Sequence, residues 1–98
     1  VFEFNLSARG TSGAGFNLNE EWSVLCQKNP GVIYKVNGTQ FMEGASGVTP
    51  HANGIVKFNL LAGETVTVGV YQSSGGAINL SGSADTNFIE IRRVGNYA

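Results

Sequence analysis

Apolar and polar residues alternate along most of this chain, and no stretch carries the 3.6-residue period of a helix. Phe2, Phe4, Leu6 and Ala8 interleave with Glu3, Asn5 and Ser7, which predicts a strand with one apolar face. Trp22, Val24 and Cys26 repeat the pattern and predict a second strand. Val32 to Val36 is strand-like and runs into Asn37-Gly38, a strong two-residue hairpin signal, after which Thr39 to Met42 returns. The central stretch GIVKFNLLAGETVTVGVYQ, residues 54–72, holds two apolar runs, Ile55–Leu60 and Val66–Tyr71. Between them lies Ala62-Gly63-Glu64, so the stretch predicts an antiparallel hairpin whose Val66, Val68 and Val70 fill the interior. Ala77–Leu80 predicts a short strand, and Asn87–Val94 a last one. In that last strand Ile89 and Ile91 share the apolar face, with Phe88, Glu90, Arg92 and Val94 opposite. Small or polar segments separate these runs: Gly10–Gly15, Lys28–Gly31, Glu43–Asn53 with its Pro50, Ser73–Gly76 and Ser81–Thr86. About eight short strands at such spacing predict a sandwich or barrel.

The 98 residues suffice for one domain, 1–98, of about 10 kDa with a modest core. Charged residues make up 13% of the chain, against roughly 25% in ordinary soluble domains. Many strands with few charges leave edges and patches unguarded, so the composition points to burial of part of the surface against other copies. Net charge is −1 and the six basic residues are scattered apart from Arg92-Arg93, which excludes the clustered basic face of a nucleic-acid binder. No run of about 18 apolar residues is present to insert in a membrane as a helix. The chain opens already in strand pattern, without a methionine or a basic-then-apolar leader, and is read as the C-terminal part of a longer polypeptide. Cys26, the single cysteine, cannot staple the fold and sits in a strand as a small core residue.

Candidate chemistry is sparse. His51 is the one histidine, and no nucleophile signature or adjacent carboxylate accompanies it in sequence. Glu20 and Glu21 are neighbours, but adjacent strand residues point to opposite faces and make a poor dyad. Glu43 alone, or Asp85 with Asn87, falls short of a metal-ligand set, and the glycine-rich segment 10–15 lacks the Lys-Ser/Thr of a phosphate loop. No catalytic residue, metal site or cofactor is assigned. Asn5, Asn37 and Asn79 each begin a glycosylation tripeptide, a pattern that arises by chance in an Asn- and Ser-rich chain. Arg92 and Arg93 are expected to pair with Glu90 or Glu3 across strands, or with carboxylates of a neighbouring subunit.

VIYKVNG at residues 32–38, the 53–76 segment NGIVKFNLLAGETVTVGVYQSSGG and FIEIRRV at 88–94 together resemble the C-terminal half of tumour necrosis factor-like jelly rolls. The likeness is greatest to those related to the globular heads of complement and collagen-like proteins, and to their counterparts in bacteriophage fibres, tails and head decorations. It covers roughly residues 31–94 and rests on Asn37-Gly38, Leu61–Glu64, Val66–Val70 and Phe88–Val94. Phe2–Ser7 matches the family's middle strand, which puts the family's first strands outside this chain or supplied by another. The resemblance implies an all-β antiparallel jelly-roll sandwich and a homotrimer. Its three-fold axis would be faced by Tyr71, Phe88 and Phe58, with Arg92 also at the subunit interface; the alternative for the aromatics is the monomer's own core.

The expected function is therefore non-enzymatic: a structural or receptor-binding knob of a virion, in company with other virion proteins. Candidate ligand residues are His51, Asn53, Gln72, Ser74 and Asp85, whose hydrogen-bonding groups suit a host-surface glycan or protein. A capsid decoration module and a secreted, cell-surface adhesive head on a collagen-like stalk are the alternatives.

Overall fold

The computed structural model describes residues 1–11, 19–29, 33–42, 49–76 and 78–96. Among them run β1 (Phe2–Arg9), β2 (Glu21–Asn29), β3 (Ile33–Phe41), β4 (His51–Phe58), β5 (Thr65–Gln72) and β6 (Phe88–Arg93), with no helix. They form two antiparallel three-stranded sheets, β4-β1-β6 and β3-β2-β5. The fold class is an all-β sandwich.

The alternation in β1 and β2 sets the core. Phe4, Leu6 and Ala8 from one sheet meet Trp22, Val24 and Cys26 from the other, with Met42, Ala52 and Phe58 closing the cluster. Phe4 and Phe58 pack edge to face at 5.6 Å between ring centres. Trp22 crosses between the sheets and donates its indole N–H to the Ala8 carbonyl at 3.1 Å. This satisfies the indole's one polar atom in a buried position. Burial pushes the Cys26 thiol above its ordinary pKa, as suits a core residue.

Three expectations are corrected. The central stretch is not a hairpin: β4 pairs with β1 while β5 pairs with β2, so residues 59–64 cross from one sheet to the other. Gly63 there adopts φ 87°, and Glu64 accepts the Leu61 N–H at 2.6 Å, which fixes the turn. Asn37-Gly38 is not a turn either. β3 runs through it, and a bulge opposite Val24 and Leu25 absorbs the extra residue. The Asn37 side chain enters the gap between the sheets and donates to the carbonyls of Phe4 (3.1 Å) and Gly54 (3.2 Å). Finally, of the segment predicted as a strand at 77–80, residues 78–80 contribute one isolated bridge, Leu80 to Gly10, and Ala77 lies outside the described residues. The segments 12–18, 30–32 and 43–48, which hold parts of three predicted loops, lie outside the described residues.

The sandwich is closed along one side and open along the other. At the closed side β3 and β4 touch through Gly38 and Gly54, where a Cβ on either would collide with the backbone opposite. At the open side β5 and β6 stand apart. A cleft of about 570 Å³ separates them, lined by apolar side chains that include Leu6, Val24, Val68, Val70, Leu80 and Ile89. Val66, Val68 and Val70 do face inward, opposite Lys28, Cys26 and Val24. They are only partly covered, however, and Val70 is 39% exposed. Ile89 and Ile91 also face inward, opposite Leu6 and Phe4, yet are 53% and 56% exposed because nothing in β5 reaches them.

Candidate functional site

The β-strand registers carry the candidate ligand residues to one end of the sandwich. His51 opens β4 opposite Arg9, the last residue of β1. Gln72 closes β5 opposite Trp22. The 81–87 turn that bears Asp85 lies against the same end through the Ser81 N–H bond to the Arg9 carbonyl. Asn53 lies within β4 rather than in a loop, exposed on the outer face opposite Ser7.

Several of these groups are already engaged. Gln72 accepts from the Ser74 backbone at 2.8 Å and from the Ser74 hydroxyl, and donates to the Gly76 carbonyl at 2.6 Å, so Gln72 and Ser74 build their own tip. Asn87 knits the 81–87 turn, donating to the Ser81 carbonyl (2.7 Å) and accepting the Arg9 N–H (2.8 Å). Asp85 rides at the exposed crest of that turn, held by its own N–H to Ser83 Oγ at 3.3 Å.

Sequence reasoning missed one pair. Ser7 Oγ and His51 Nε2 are 3.0 Å apart, and Ser7 Oγ also donates to the Thr86 carbonyl at 2.9 Å. The hydroxyl has a single proton, which that carbonyl takes, so the imidazole meets Ser7 as an Nε2–H donor. An acyl-transfer dyad needs the reverse, a hydroxyl that gives its proton to the ring. With Ser7 buried, the pair acts as an anchor tying β4 and the 81–87 turn to β1. Only the strand register brings these two residues together, and nothing in their local sequence announces it.

The predicted interface residues divide between places no single flat contact can reach. Phe58 is 3% exposed in the subunit's own core, with the Lys35 ammonium 4.8 Å from its ring centre, which removes it from any subunit surface. Phe88 and Arg92 lie on the outer face of β4-β1-β6, opposite Ser7 and Glu3. Arg92 pairs with Glu3 at 3.1 Å within the chain. Tyr71 lies on the outer face of the other sheet, opposite Ser23.

That second outer face has a distinct chemistry. The registers put Tyr34, Val36, Thr39 and Phe41 there from β3, Glu21, Ser23, Leu25, Gln27 and Asn29 from β2, and Thr65, Thr67, Gly69 and Tyr71 from β5. Glu21 is the one charge among these residues, and Tyr34, Val36, Phe41 and Tyr71 are all exposed. The bulge at Asn37 produces this grouping by switching the parity of β3, so alternation alone could not have found it. The outer face of β4-β1-β6 carries Glu3, Arg9, His51, Lys57, Glu90 and Arg92 instead.

No family model, curated protein or solved structure matches the chain.

Proposed function

We propose that this chain is a non-enzymatic attachment module of a virion, working as an oligomer that presents its polar end to a host-surface glycan or protein. The observation that carries the reading is the separation of surfaces. Exposed hydrogen-bonding groups gather at one end, while the outer face of β3-β2-β5 offers aromatic and uncharged polar side chains. A nearly charge-free face is suited to contact between copies, because its burial strips water from few ions. Three such copies about a three-fold axis, as the resemblance implies, would present three ligand ends at once. Weak single sites then gain from effective concentration.

Two measurements test this. Light scattering of the chain should give a multiple of the monomer mass, and Tyr71→Asp should lower it while circular dichroism retains the strand signal. Binding to intact host cells should fall at least tenfold in an Asn53→Ala, Asp85→Ala double variant of unchanged mass. A monomeric chain, or a double variant that binds as well as the parent, would overturn the assignment.

A further inference from the structure

Four strands border the two sheets, and they differ in how their outer edges are guarded. β3 and β4 lean on each other through Gly38 and Gly54. β6 carries Glu90, Arg92 and Arg93, the charges by which natural sheets repel a further strand. β5, Thr-Val-Thr-Val-Gly-Val-Tyr-Gln, has eight residues with no charge and no proline. Among the described residues no strand lies beyond it.

The backbone of β5 is set for pairing. Ser73 N–H bonds to the Glu21 carbonyl, and the register with β2 runs without a break from Thr65 to Gln72. Odd-numbered residues therefore turn their peptide groups to β2. Val66, Val68, Val70 and Gln72 turn theirs to the free edge.

From this we infer that β5 pairs antiparallel with β5 of a second copy across a two-fold axis, joining two β3-β2-β5 sheets into one of six strands. Charge selects the occupant. A two-fold contact sets a strand against itself, so any charge in it approaches its like. β3 holds Lys35, β4 holds Lys57 and β6 holds three charges, whereas β5 has none.

Parity selects the register. To keep inward valines on one side, paired residues must be both even or both odd in number. Centring on Val68 achieves this with Val66 opposite the partner copy's Val70 at both ends of the pair. It also places Thr67 opposite Gly69, where an added Cβ would meet nothing within 4 Å. The pairing would cover Val68 and Val70 at the lip of the apolar cleft. This contact does not depend on what the polar end binds, and it uses the free backbone edge of β5 where a three-fold contact would use the outer face that Thr67, Gly69 and Tyr71 share.

Amide hydrogen exchange and mass on the intact chain test the proposal. At concentrations where association is complete, Val66, Val68 and Val70 amides should exchange at least a hundredfold more slowly than on dilution to monomer, and the mass should be an even multiple. Thr67 is exposed on the outer face beside this edge, so Thr67→Lys and Thr67→Glu leave the fold intact, and the Val66, Val68 and Val70 amides rather than mass alone report the edge contact. Each alone should weaken the pairing about three- to tenfold by bringing like charges together. An equimolar mixture should restore both the even mass and the slow amides. A monomer or a trimer whose Val66, Val68 and Val70 amides exchange as open backbone would overturn it, leaving the attachment reading standing if a trimer still binds cells. An even-numbered assembly with those same amides open would also overturn it, since another surface would then hold the copies together.

Discussion

Gly38 on β3 and Gly54 on β4 present bare backbone to each other, and that contact closes one side of the sandwich. A Cβ on Gly38 would meet the Asn53 carbonyl and one on Gly54 the Asn37 carbonyl, in both cases rigid main chain. Gly38→Ala or Gly54→Ala must then push the two strands apart. Each is expected to cost about 3 kcal/mol or more, read as a lowered urea midpoint with an unchanged slope. Gly69→Ala, whose added methyl meets nothing within 4 Å, is the control and should be neutral or stabilising by under about 1 kcal/mol.

Asn37 bridges the sheets as a double donor, to Phe4 and Gly54 carbonyls. Asn37→Asp replaces those N–H groups with a carboxylate facing two acceptors, at a cost of at least about 2 kcal/mol at neutral pH. The carboxyl favours its protonated form there, so its folded pKa rises above the unfolded value. The deficit relative to the parent should shrink as pH falls, because a protonated carboxyl regains one donor. Denaturation midpoints of both proteins across acid pH would show this convergence.

At the other end of the sandwich, the Leu61 N–H and then Lys28, 3.1 Å away, hold the Glu64 carboxyl below the ordinary carboxylate range. A depressed folded pKa contributes stability that is present above the unfolded pKa and lost as pH falls through the folded one. Glu64→Gln should therefore be less stable than the parent at neutral pH and equal to it in acid. Parallel thermal melts at the two pH values check the sign.

Ser7 and His51 form an anchor in this structure, and that role has its own signature. Ser7→Ala removes the bond to the Thr86 carbonyl and should cost about 1–2 kcal/mol. The 81–87 turn should then be cut by protease faster than in the parent, with the mass in solution unchanged.

Much of the sandwich could be read from the chain itself. Alternation at Phe2–Ala8 and Trp22–Cys26 reports which side chains avoid water, and those residues are the core. Period alone says nothing about which strand a given strand pairs with. For that reason period alone joins residues 54–72 into one hairpin, although their two halves belong to different sheets. Asn37-Gly38 shows the same limit from the local side. The pair has the φ,ψ freedom for a tight turn, but two carbonyls from other strands bind the asparagine and a facing backbone needs the glycine.

The candidate site divides along the same line. That polar residues such as His51, Gln72 and Asp85 would be available was legible in the sequence, as hydrophilic breaks between apolar runs. Their convergence on one end, the Ser7–His51 anchor and the nearly charge-free face around Tyr71 were not, because each joins residues from separate strands. By itself the sequence determined an all-β chain with one apolar side per strand, since burial follows an alternation that neighbouring residues set. Only tertiary structure decided the pairing order, the bulge in β3 and the open seam between β5 and β6. These depend on which backbone edges and side chains from distant segments satisfy one another.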